Sequence, residues 1–292
     1  MTKIKELWRL LRPKQWVKSG FVFMGVLFGH AWTQPALVRR ILILAVAFSL
    51  VASGVYILND LFDRDSDAAH ASKRLRPIAA GTISTTVAII LMLVVWLVGF
   101  TLGYYVSASV TLILLCYLLL NVGYSLGLKH VVILDVFIIA AGFILRILAG
   151  TTGVGIAPSH WILLCGLMVA LFLGFAKRRS ELYAQVDDPA GHRRVLEKYQ
   201  PVFLDKMIVI TATCVILSYG LYTLSPATYA AHHTDALIYT LPFVIYGVFR
   251  YIYSLHKRTS GSDPAQEIFR DPHLVFSLLG WLFVTLWIIK NP

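Results

Sequence analysis

The stretch ILILAVAFSLVASGVYILNDLFDRDSD, residues 41–67, decides the architecture. From Ile41 to Asn59 it carries no charge, and at about 1.5 Å per residue such a run crosses a hydrocarbon core of about 30 Å as a helix. Its last eight residues then hold Asp60, Asp63, Asp65 and Asp67, and KRLRPIAAG (73–81) adds Lys73, Arg74 and Arg76. An apolar span thus ends at a polar edge where both signs of charge are concentrated.

Working outward, similar apolar runs recur near 19–34, 83–104, 107–127, 131–150, 160–177, 205–224, 236–254 and 273–290, with 39–59 as the second of nine. The chain is 58% hydrophobic and 14% charged, too little charge to cover a soluble surface. These are continuous runs rather than alternating segments of about 10 residues, which excludes a transmembrane barrel. The reading is an all-α integral membrane protein, one transmembrane domain over residues 1–292. The net charge of +11 lies between the apolar runs, where it obeys membrane topology and gives no reason to invoke nucleic acid. Of the 26 Lys and Arg residues, 22 fall on one face if the N-terminus is cytoplasmic, and nine spans then place the C-terminus outside. That face receives loops 60–82 and 177–206, expected to cap an active site. The first run has no cleavage pattern and reads as a retained helix. Cys116, Cys165 and Cys214 stand singly in apolar runs and suggest neither disulfide nor zinc. The opposite connections, GTTGVG (150–155) included, read as turns, with His232 and His233 as exposed turn residues.

On a helix, Asn59, Asp60, Asp63 and Asp67 stand three or four apart and share a face, while Asp65 points elsewhere. Carboxylates so spaced repel unless a cation lies between them. Magnesium suits the place: it takes one or two carboxylates, keeps waters and completes its shell with substrate phosphates. Asp60, Asp63 and Asp67 are therefore the candidate metal ligands, with Asn59 beside them. An EF-hand would start the same way, but Ala68 replaces its turn glycine and Arg74 its final Glu. Lys73, Arg74 and Arg76 can then grip the oxygens of a metal-bound diphosphate. For these bases alone, the rival reading is a solvated membrane-edge loop.

The pattern N59-D60-x-x-D63-x-x-x-D67, followed by RPIAAG (76–81), resembles the first signature of the UbiA superfamily of intramembrane prenyltransferases, and YSLGLKHVVILDV (124–136) resembles its Tyr/Lys segment. The resemblance implies nine helices around a cytoplasm-facing central cavity, magnesium and a diphosphate substrate. Where most members carry a second DxxxD motif, this chain has Lys177 and Glu181 at that spacing, with Arg178 and Arg179 between them. A basic wall favours a more heavily phosphorylated substrate set. RPKQWVKS (12–19), KRLRPIAAG, GFILRILAG (142–150) and AKRRSEL (176–182) resemble the decaprenyl-phosphate phosphoribosyltransferase branch. That branch implies phosphoribosyl pyrophosphate as donor, a polyprenyl phosphate as acceptor, arabinan precursor synthesis for the cell wall, and a bacterial inner or plasma membrane.

Such a substrate pair carries more anionic groups than one ion neutralises. Lys14, Lys18, Lys73, Arg74, Arg76, Tyr124, Lys129, Lys177, Arg178 and Glu181 are the candidate substrate-binding residues, although Lys14, Lys18 and Lys129 are also placed to snorkel at the membrane surface. Arg146, deep in the fifth run, needs either a partner on another helix or a substrate cavity; Asp135, roughly 16 Å back along the helix, is out of reach. His192, Arg193, Arg194 and Tyr199 suggest a lid or a lipid-touching segment. Prenyl transfer to an aromatic acceptor and transport of an anionic solute are the rival functions; assembly as a homo-oligomer stays open.

Overall fold

The computed structural model describes residues 2–29, 31–69, 73–184, 196–257 and 270–291, and among these it contains helices and turns but no strand. The helices are α1 (Thr2–Leu11), α2 (Met24–Phe28), α3 (Pro35–Phe62), α4 (Arg64–Ala69), α5 (Thr85–Val106), α6 (Ala108–Leu126), α7 (Leu134–Gly153), α8 (His160–Ala184), α9 (Pro201–Leu224), α10 (Pro226–His232), α11 (Leu241–Lys257) and α12 (Pro272–Lys290). Among the described residues, eight are long and apolar enough to cross a membrane, the chain Ala236–Lys257 counting as one. They fall into two compact units, one up to Pro158 and one from Ser159 onward.

The ninth expected span, 19–34, is not a continuous α-helix. Pro13–Phe23 winds as a 3₁₀-helix and passes into the single turn of α2. The neighbour explains the difference. A Cβ added at Gly150 of α7 would lie 1.9 Å from the Val22 carbonyl oxygen, and one at Gly25 would lie 2.9 Å from the Gly150 oxygen. Two glycines thus let this segment lie backbone against backbone on α7, with Val22 and Val26 entering the core beside Phe48, Val51 and Tyr117. At about 2.0 Å per 3₁₀ residue and about 1.5 Å per α residue, the 11 and 5 residues together reach about 30 Å, the thickness of a hydrocarbon core.

α3 is the axis of the first unit and packs most extensively on α5. The Trp96 indole lies where a Cβ on Gly54 would stand, and its Nε1–H donates to the Val51 carbonyl at 3.2 Å. At the polar end, Leu10, Ile57, Ile78, Ile83, Ala88 and Met92 form a second core. It ties α1 and the PIAAG turn to the end of α3, and Gly81 closes that turn at φ +70, a region glycine enters without strain.

In the second unit α8 packs on α9 and α11 on α12. Asp271 caps α12 through the His273 amide and accepts from Arg250 Nε and Ser254 Oγ, both at 2.9 Å, which joins the two ends of the segment between α11 and α12. Burial works against its charge, but these bonds hold the carboxyl down at about 2. The connection expected as a bare turn contains α10. That helix, capped by Ser225, turns His232 inward to the Tyr222 hydroxyl at 3.1 Å, so His232 is buried, whereas His233 is exposed as expected.

Candidate active site

The polar end of α3 sets the register of the first unit's site. α3 stops at Phe62, yet the Asp63 amide still bonds the Asn59 carbonyl (2.9 Å) and the Asp67 amide the Asp63 carbonyl (2.7 Å), so four-residue spacing runs through the break into α4. Asn59 Nδ2 accordingly donates to Asp63 Oδ2 at 3.0 Å, while Ser125 of α6 donates to Asn59 Oδ1 at 3.4 Å. Asp65 is exposed, as its spacing predicts.

Each of the three aspartates meets a cation brought from a different segment. Asp60, 2% exposed, accepts on Oδ1 from Arg12 Nη2 at 2.5 Å and from Arg76 Nη1 at 3.0 Å. That same Arg76 nitrogen donates to Asp67 Oδ2 at 2.5 Å. Lys129 Nζ reaches Asp63 Oδ1 at 2.6 Å. Burial pushes the Asp67 carboxyl up from its ordinary range, opposed by Arg76 and Lys73 and reinforced by Asp60. The cation that the carboxylate spacing demands is thus supplied by the chain itself, as two guanidinium groups and an ammonium.

Asp60 and Asp67 therefore converge on a single positive nitrogen, while Asp63 turns to Lys129. Among the described residues no three His, Cys, Asp or Glu side chains stand close enough to hold one ion together. The three aspartates expected as ligands thus divide between two sets of cations, Lys129 holding the Asp63 carboxylate while Asp60 and Asp67 share Arg76. The pair Asp60 and Asp67 still fits a hard divalent ion, since their oxygens already surround one cation and leave room in its shell for water and phosphate.

Arg12 is the residue that sequence reading passed over as a site group. Pro13 disfavours helix at the residue before it, so α1 ends at Leu11 and Arg12 takes φ +53, ψ +57. α3 clamps both sides of this bend: Ser53 Oγ donates to the Leu11 carbonyl at 2.7 Å and receives Trp16 Nε1–H at 3.0 Å. Two helical turns further along α3 stands Asp60, and the Arg12 guanidinium lies 5.2 Å from the Tyr56 ring centroid on the way. The signal available in sequence was Arg-Pro after a helical run; its partner, 48 residues on, was not.

The other expected residues separate. Lys129 sits on a 3₁₀ turn, Leu128–His130, that precedes Ile133 at φ +70, a conformation strained for a β-branched side chain. Lys73, Lys18 and Tyr124 are half-buried, and Lys14 and Arg74 are exposed. Arg146 is buried; it donates to the Gly142 carbonyl at 2.8 Å and to the Tyr117 hydroxyl of α6 at 3.1 Å, and its guanidinium lies over the Phe48, Tyr117 and Phe143 rings at 4.7, 4.8 and 5.4 Å. It thus has a partner on another helix, one of the two readings open from sequence.

Lys177, Arg178 and Glu181 belong to the second unit, where α8 continues helical to Ala184, beyond the expected loop start at 177. Arg178 is wholly buried and donates to Glu181, one turn on. Arg179 donates to Asp205 at 2.5 Å and to the Leu255 carbonyl at 3.2 Å, joining α8 to α9 and α11. Tyr199 is buried and stacked on Phe203. His192, Arg193 and Arg194 lie outside the described residues.

This architecture has counterparts. The decaprenyl-phosphate phosphoribosyltransferase of Corynebacterium glutamicum is 32% identical over 94% of this chain and 84% of its own, and that of Mycolicibacterium smegmatis is 29% identical over 96% and 91%. A UbiA homolog from Archaeoglobus fulgidus, solved bound to GPP and Mg2+, superposes with a TM-score of 0.73 at 18% identity, covering 98% of this chain and 99% of that one, which shows a common fold. The profile of the UbiA prenyltransferase family matches residues 20–271, and the chain is a member of that family of integral membrane proteins.

Proposed function

We propose that the protein transfers a 5-phosphoribosyl group from phosphoribosyl pyrophosphate to a polyprenyl phosphate, releasing pyrophosphate, at the site built on Asn59–Asp67, Arg12, Arg76 and Lys129. The observation that carries this reading is the alternating array of three carboxylates and three cations, suited to a substrate that presents a diphosphate together with its counter-ion. The phosphoribosyltransferase relatives, spanning nearly the whole chain, support the choice of transferred group.

Asp60 and Asp67 would hold magnesium, as the Mg2+-bound structural relative suggests. When bound, the ion offsets charge building on the departing diphosphate. Arg76 and Arg12, released from Asp60, bind phosphate oxygens through guanidinium forks, and Lys129 adds a point charge beside Asp63. The C1–O bond to pyrophosphate breaks with its electron pair, the ribosyl carbon gains oxocarbenium character, and an oxygen of the acceptor phosphate closes the new bond. That phosphate is already ionised near neutral pH, so no general base is required. The residues contribute orientation and electrostatic stabilisation.

Prenyl transfer is the alternative that the family name keeps in view. Against it stands α8, where Lys177 and Glu181 take the place of a second aspartate motif and the buried Arg178 donates to Glu181. Incubation with magnesium, ribose-labelled phosphoribosyl pyrophosphate and polyprenyl phosphate should give lipid-soluble label. Label appearing only in a prenylated aromatic, when prenyl diphosphate and an aromatic acid are supplied instead, would overturn the proposal.

A further inference from the structure

Arg76 Nη1 stands between Asp60 Oδ1 and Asp67 Oδ2, at 3.0 and 2.5 Å, and Arg12 takes the same Asp60 oxygen at 2.5 Å. A divalent ion ligated by those oxygens cannot share the position with the guanidinium groups, because like charges at such distances repel strongly where water is scarce. Asp60 and Asp67 are both buried, so neither can swing to water to escape the conflict. The two arginines behave differently. Their side chains are 26% and 27% exposed and can move outward, toward anionic oxygens arriving from solvent.

We propose that Arg12 and Arg76 are place-holders for the metal, so that the site refuses a bare divalent cation and accepts one only together with a polyphosphate that draws the guanidinium groups away. This rests on the reading that the site takes a metal-bound diphosphate and is independent of which group is transferred. The arrangement makes metal loading conditional on substrate and assigns Arg12 and Arg76 as positioning residues with two alternating partners.

The test uses the full-length protein in detergent and two titrations by calorimetry, one with magnesium alone and one with preformed magnesium pyrophosphate. Arg76→Gln should bind magnesium alone about tenfold more tightly than wild type and magnesium pyrophosphate about tenfold more weakly, a size within the usual range of couplings between sites. Arg12→Gln, which leaves the bridge between Asp60 and Asp67 in place, should shift both in the same directions by less, so the outcome does not depend on one variant folding. Opposite signs are the signature, because a merely structural arginine would weaken both titrations together. Loss of both in the two variants, or magnesium-alone binding unchanged in both, overturns the proposal. A protein that shows the opposite shifts yet moves no ribosyl label keeps the place-holders and loses the phosphoribosyl assignment.

Discussion

Asp63 accepts from Lys129 and Asn59 at once, and removing its charge leaves Lys129, 11% exposed in its side chain, without that anion. Asp63→Asn should therefore lower transfer at least about 100-fold in the ribose-label assay, while membrane insertion, read by fractionation, is retained. Arg146 poses a separate question, since its guanidinium lies over three ring faces. A lysine keeps the charge but cannot lie flat across those rings while bonding Tyr117 and Gly142. Arg146→Lys should thus lower thermal stability in detergent by about 1–3 kcal/mol more than Arg146→Met, which removes the charge altogether. Much of this scale was legible in sequence: Asn59–Asp63 follows from spacing alone, and Arg146 announces itself as a charge in an apolar run. Arg12–Asp60 was not, because the pairing is created where α3 clamps the bend after α1.

At the scale of elements, apolar length identified eight helices and mistook the winding of one segment. Composition registers how much apolar chain is present; it does not register whether a neighbour forces 3₁₀ geometry. The cause lies in two glycines, Gly25 and Gly150, whose missing side chains set the approach of backbones. Gly150→Ala places a Cβ against the Val22 carbonyl and should cost about 2–4 kcal/mol, seen as a lowered detergent melting temperature and poor recovery. Asp271 supplies a pH-dependent joint between α11 and α12. Its folded carboxyl titrates at about 2, below the unfolded value, so its contribution is complete above about pH 4 and is lost as pH falls toward 2. Asp271→Asn should flatten the decline of melting temperature across that interval and leave the slope at higher pH unchanged. The Asp271 bonds to Arg250 and Ser254 depend on packing and have no signal in the apolar pattern.

For the molecule as a whole, we propose from the distribution of basic residues that the N-terminus is cytoplasmic, and the segment from Pro13 to Phe28 has the reach of a ninth crossing. In a cysteine-free background, a cysteine at Asn291 should react with an impermeant maleimide from outside; reaction only after permeabilisation would leave an even number of crossings. Membership of the class could be read from composition, whereas the division into two compact units could not, because apolar runs look alike whichever neighbours they choose. The contact of Val22 with Gly150 also bears on how the chain is made. Its two halves are about 130 residues apart, so the segment around Val22 completes its packing only after α7 has been synthesised and inserted. Nascent chains arrested before Gly150 emerges should leave the segment around Val22 more open to protease than those arrested well after it: a stretch made early finishes its packing late.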